Sequence, residues 1–317
     1  MKFIRLIPVF CALALLLSCS KDDDEDQGPA ANSLSGTIIY NYTSDVKQID
    51  LKTGTESNYF SYNAYSTNGW DVSLDGKLRL ISERPAGTIY ETRFMLVSTA
   101  DGSILNDFVY IPKNGSTRDY AGELSPDNSL ILLQPHFDNG IVLLDMNGEE
   151  IYHMEGINGK KLTLGDKACW LPGNSLLVRF DDKYLLKADP PYTNLTLVKE
   201  MNYEQWGNIR TSRDGKRLSL YIGRHIYLMN IDGTELTQVT ESDSGENMAE
   251  FSPDGRHLLV GTSYVHAPVS GRSSWNLKII PADGRKYNMD NSPEVIPVIP
   301  AGRSEAVKAG GNTFWRP

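Results

Sequence analysis

One short turn constrains this chain more than anything else in it. Ser252-Pro253-Asp254-Gly255 joins two apolar runs, and Asp-Gly supplies the positive φ that a close hairpin requires. Versions of the same turn stand at Ser73-Leu74-Asp75-Gly76, Ser125-Pro126-Asp127-Asn128, Leu171-Pro172-Gly173-Asn174 and Ser212-Arg213-Asp214-Gly215. Their spacing, about 40 to 50 residues, is that of radially repeated four-stranded sheets. Each copy is followed by an apolar run, at 78–82, 129–134, 175–180, 217–222 and 257–261. A third run then leads to a second turn, at Asp101-Gly102, Asn147-Gly148, Asp189-Pro190 or Asp232-Gly233. A unit of this kind cannot bury its apolar face alone and must stack on its neighbours.

The two ends of the repeat region complete one another. Residues 312–317 read as the strand before the turn, and residues 37–42 read as the strand after it. Joined in space they form a sixth unit, which leaves no exposed sheet edge at the seam. The expectation is an all-β chain: a six-bladed β-propeller of four-stranded antiparallel blades over 33–317, closed by the N-terminal strands pairing with the C-terminal one.

The blocks FSPDGRHLLVGT, IYLMNIDGTELTQVT, ELSPDNSLILL and TSRDGKRLSLYI resemble the TolB-like (WD40-like) β-propeller repeat. The copy at Trp170-Leu171-Pro172-Gly173 and the seam depart from that pattern. The resemblance implies six blades and says little about chemistry. Repeats of this kind serve periplasmic binding and scaffold proteins, peptidase gates and a few lyases, so the fold does not choose among functions.

Ahead of the repeats, residues 1–18 carry Lys2 and Arg5, then an apolar stretch ending Leu16-Leu17-Ser18 before Cys19. This reads as a signal peptide, too short for a spanning helix. Cys19 after a small residue resembles a bacterial lipobox cysteine, to be lipidated and to become the mature N-terminus. The acidic run Asp22-Asp23-Asp24-Glu25-Asp26 stays extended and solvated, so 19–32 reads as a tether. Lys21-Asp22-Asp23 resembles the export signal of surface lipoproteins of the Bacteroidota. The expected location is the outer membrane, lipid-anchored and facing the cell exterior, with a periplasm-facing anchor as the alternative. Several acyl chains make such anchorage stable.

The formal charge is −9, and losing Lys2 and Arg5 with the leader makes the rest more negative. No basic stripe is visible, so nucleic acid is excluded as a partner. The chain is expected to be monomeric. With Cys11 in the leader and Cys19 lipidated, Cys169 has no intramolecular partner and reads as a buried inert thiol. No nucleophile elbow, His-Glu-x-x-His, Cys-x-x-Cys pair or phosphate-cradling loop occurs. Neither a cofactor nor a metal is expected; His136 and His266, after the second strands of their blades, share a rim, but the five histidines lack ligand spacing.

Two sets of residues could form a site. Two positions before the turn serine stand Asp71, Glu123, Cys169, Arg210 and Glu250, with Phe314 at the seam. Alternation turns them away from Val72, Leu124, Trp170 and Phe251, toward a central channel, where Arg210 and Glu250 are expected to pair. Asp71 with Glu123 could instead form a binding or catalytic pair of carboxylates. The second set lies where the innermost strands begin: Tyr62, Tyr65 and Trp70, then Arg118 and Tyr120, then Tyr203 and Trp206. Aromatic faces beside polar groups suit stacking on sugars or clamping side chains, although Trp70 and Trp206 also fit the wedges between blades. The irregular stretches 263–274 and 290–311 are expected to wall one side of any ligand site. The function expected is binding or scaffolding of a protein partner or glycan at a propeller face. The alternative is a polysaccharide lyase or hydrolase with its site at the channel mouth.

Overall fold

The computed structural model describes residues 34–113, 120–136, 139–266 and 273–317. Cys19, the leader, the tether and Arg118 lie outside them. Six antiparallel sheets follow in order. Blade 1 contains Thr313–Arg316, Thr37–Asn41, Asp45–Asp50 and Glu56–Ser61, from the innermost strand outward. Blades 2 to 5 begin at the strands Thr67–Val72, Gly122–Leu124, Lys167–Trp170 and Trp206–Thr211, and each runs outward in chain order. Blade 6 contains Glu246–Phe251, His257–Val265 and Ser274–Pro281, whose outer side is paired by both Ile296–Pro297 and Lys308–Ala309.

The seam closes as the repeat requires. Trp315 lies opposite Ile38 and Phe314 opposite Ile39, so the two ends of the repeat region share one sheet. Gly36 makes the junction possible. At φ +93°, a Cβ there would sit 2.4 Å from the Arg316 carbonyl oxygen, and Trp315 Nε1–H donates to the Ser35 carbonyl alongside it at 2.9 Å.

The repeated turn has one chemistry. Its fourth residue is left-handed in every internal copy: Gly76, Asn128, Asn174, Gly215 and Gly255 have φ of 74°, 61°, 59°, 67° and 71°. Only Gly and Asn occur there, the residues that enter this region at least cost. The buried serine at the first position donates to the Asp two residues on, at 2.6 Å from Ser73, Ser212 being at 2.7 Å and Ser252 at 2.6 Å. The same Oγ accepts the N–H five residues on, at 2.9 to 3.0 Å. In blade 4, where Leu171 replaces the serine, the turn tightens into a 3-10 turn over Pro172–Asn174.

Packing is between blades. Separate clusters of buried residues join blade 1 to 2, 2 to 3, 3 to 4, 4 to 5 and 5 to 6. Trp206 and Trp315 are among the largest fully buried side chains. Each fully buried aliphatic or aromatic side chain stabilises by roughly 1.5–3 kcal/mol. Closure makes every blade a wall for the next, which holds the innermost strands around the axis and fixes the side chains that face it.

Candidate functional site

The six axial positions meet. Asp71, Glu123, Cys169, Arg210, Glu250 and Phe314 all line one cavity of about 680 Å³. The cavity is also bordered by the turns at 74–75, 126–128, 172–174 and 212–213, so it opens at the face where the innermost strands end.

A polar stitch at each junction ties neighbouring innermost strands together. Asn312 Nδ2 donates to the Trp70 carbonyl at 2.5 Å, the Leu124 N–H donates to Asp71 Oδ2 at 2.7 Å, and Trp170 Nε1–H donates to the Glu123 carbonyl at 3.1 Å. Thr211 Oγ1 donates to the Trp170 carbonyl at 3.0 Å. Arg210 Nε lies 3.4 Å from Glu250 Oε2, the pairing expected from sequence, and Arg316 Nη1 donates to Glu250 Oε1 at 2.7 Å. Arg316 also donates to the Val72 carbonyl, at 3.1 and 3.2 Å. Gln134 Nε2 donates to Glu123 Oε1 at 2.8 Å, and the Arg213 guanidinium reaches from blade 5 to the Leu74 carbonyl on blade 2.

Arg316, Arg213 and Gln134 escape a reading by axial position, yet the repeat marks two of them. Arg316 stands where four of the five internal copies have serine, and Arg213 where the other copies have leucine or proline. A charged residue that breaks an apolar or small consensus was the available signal.

The electrostatics follow from burial. Burial, and then the Glu123 carboxylate, push Asp71 up to about 7 against the pull of Arg316 and the Leu124 N–H. Burial also raises Glu123, although Arg210 and Gln134 oppose it. For Arg210, burial works against the charge, but Glu250 and Glu123 outweigh it and the guanidinium is held more firmly protonated. Burial, and then Glu123, push the Cys169 thiol up to about 12, which leaves it a poor nucleophile at neutral pH.

The aromatic set is dispersed. Trp70 packs edge-on to Phe60 and Phe314, Tyr120 is buried against Tyr110 and His136, and Trp206 is buried with Nε1–H on the Asp182 carbonyl at 2.7 Å. Tyr62 is half-buried beside Phe60, its hydroxyl receiving Asn41 Nδ2. Tyr65, 96% exposed, and Tyr203 remain at the surface. Apart from Trp70, which borders the cavity from its strand, none of these lines the cavity. Residues 290–311 do not line it either. Gly302 to Lys308 border a second cavity of about 550 Å³ with Tyr40, Tyr42 and Lys47, because Val298 and Val307 are buried and pin that stretch to the outer side of blade 6. Among the described residues, no group of three or more His, Cys, Asp or Glu could hold a metal ion.

No protein-family model matches the chain, and no curated protein matches it. Solved structures do. TolB from Acinetobacter baumannii is similar over 90% of this chain and 67% of its own, with TM-score 0.57 and 16% identity. The putative TolB from Agrobacterium tumefaciens is similar over 80% of this chain and 87% of its own, with TM-score 0.54 and 16% identity. A chain in a nidogen/laminin complex is similar over 80% of this chain and 94% of its own, with TM-score 0.52 and 12% identity. At these identities the likeness concerns architecture alone, and together with the six sheets it shows that the chain folds as a six-bladed, TolB-like β-propeller.

Proposed function

We propose that this protein is a lipid-anchored propeller of the outer membrane, tethered through Cys19 and facing the cell exterior, which binds a protein partner or a glycan at the cavity where its innermost strands end. One observation carries the reading: a concave cavity of about 680 Å³ in which apolar side chains such as Trp70, Trp170 and Phe314 meet converging charged ones, the kind of place where ligands bind. The fold agrees with it. The nidogen/laminin structure is itself a complex between proteins.

The experiment is a glycan array and a pull-down with the full-length chain, each repeated with Glu123→Gln and with Pro172→Arg, which crowds the mouth. Retention that either substitution weakens at least about tenfold supports the reading. A chain that retains neither sugar nor protein, or retains them equally well after both substitutions, overturns it.

A second reading rests on Asp71, a carboxyl held near 7 beside Glu123. A neighbouring pair of carboxyls, one of them able to hold a proton near neutral pH, is what acid–base cleavage of a polysaccharide can use. Release of new reducing or unsaturated ends from a polysaccharide panel, abolished by Asp71→Asn, would replace binding with catalysis.

A further inference from the structure

One side chain crosses the cavity. Arg213 belongs to the turn of blade 5, yet its guanidinium donates to the Leu74 carbonyl in the turn of blade 2, and both turns border the same mouth. In a ring of six, blades 2 and 5 stand opposite each other. The charges around the guanidinium fit that span, for they are Arg316, Glu250 and Asp75, on blades 1, 6 and 2. The repeat gives this position no such reach elsewhere: its equivalents are Leu74, Pro126, Pro172 and Pro253.

What holds the arm in place is slight. Its hydrogen bond goes to a neutral carbonyl rather than to a carboxylate, whereas Arg210 and Arg316 are both anchored on Glu250. Burial, and then Arg316, lower the Arg213 pKa against the pull of Glu250 and Asp75, so the cation is less at ease there than in water. A single hydrogen bond set against that cost leaves two positions close in free energy, one across the mouth and one out in solvent. We infer that Arg213 is a gate: across the mouth it restricts entry to the cavity at the turn face, and swung into solvent it admits a ligand and frees the Leu74 carbonyl to accept from it. This adds regulation to the binding reading above and rests on that reading for its purpose.

Cys169 reports the gate, because it lines the cavity from blade 4 and is half-buried. The full-length chain is treated with N-ethylmaleimide and, separately, with the bulkier N-pyrenylmaleimide, and the rate at Cys169 is read by peptide mass, apart from Cys11 and Cys19. Both neutral reagents add to the same thiolate, so any change in the thiol's pKa cancels in the ratio of their rates. Arg213→Pro and Arg213→Ala should each raise the pyrenyl-to-ethyl rate ratio at least about fivefold, the factor for losing one hydrogen bond. Proline is what three of the other turns carry at this position, so Arg213→Pro decides the matter if Arg213→Ala fails to fold. An unchanged ratio, or both rates rising together as a loosened fold would make them, overturns the gate. The labelling needs no ligand. A gate that holds while the array and pull-down retain nothing leaves the binding reading to fall alone, and a flat ratio beside a retained partner removes only the gate.

Discussion

The turn serine is the residue on which the repeat hangs. Ser252, 2% exposed, both donates to Asp254 and accepts from the His257 N–H, so one hydroxyl serves two partners. Ser252→Ala strands both, and stability should fall by about 1–3 kcal/mol, read as a lower urea midpoint at unchanged slope. Asp71 gives a prediction with a sign. Its ordinary value is 3.8 and its folded value about 7, so between them the folded chain holds a proton that the unfolded chain has released. Its contribution to stability therefore falls as pH rises through that window. Asp71→Asn removes the penalty and keeps an acceptor for the Leu124 N–H. The stability of the variant relative to the parent should rise by about 1–3 kcal/mol between pH 4 and pH 8. A difference that stays flat across that range would refute the assignment.

At the scale of the element, blades differ most at their outer edges. The outer strands of blades 5 and 6 are short, and those of blades 1, 3 and 4 carry charges. Blade 2 instead ends in the seven-residue strand Ile104–Tyr110, with Ile104, Leu105 and Val109 exposed, and Ile111 exposed just beyond it. Its single charge, Asp107, is taken by Arg93. An edge of that length and composition templates pairing with other strands. Val109→Lys should delay aggregation on heating, followed by light scattering, and should leave the melting temperature within about 2 °C because the side chain packs on little. Gly122 marks the opposite constraint. A Cβ there would sit 2.8 to 2.9 Å from Ile131, Leu80 and Phe94 at once, so Gly122→Ala should destabilise by about 1–3 kcal/mol through overpacking between blades 2 and 3.

At the scale of the whole molecule, stability depends on closure. Trp315 is 1% exposed and Arg316 bridges Val72 and Glu250, so the strand Thr313–Arg316 joins blades 6, 1 and 2. Trp315→Ala should cost about 3–5 kcal/mol. Deleting 313–317 should do more. It strips blade 1 of its innermost strand and opens the ring, so unfolding should lose its single transition by circular dichroism and the chain should self-associate on size exclusion. Retention of one sharp transition after that deletion would show that the ring does not need its seam.

Most of the architecture was legible because it is written locally and repeated. Each internal turn needs a left-handed fourth residue, and in blades 2, 3, 5 and 6 a serine satisfies the loop, so Ser-x-Asp-Gly or Ser-x-Asp-Asn marks the first hairpin of those four blades. Alternation then placed Asp71, Glu123, Cys169, Arg210 and Glu250 on one side of their strands, and the structure finds all five around one cavity. What the sequence left open is set by distances across the ring. That the cavity is bordered by the turns, that Trp70, Tyr120 and Trp206 are drawn into wedges, and that Arg213 and Arg316 reach across blades to carbonyls all depend on packing between blades. Period and composition state which face of a strand a side chain occupies; only the closed ring decides how far it is from everything on the other side, and charge and burial act through that distance.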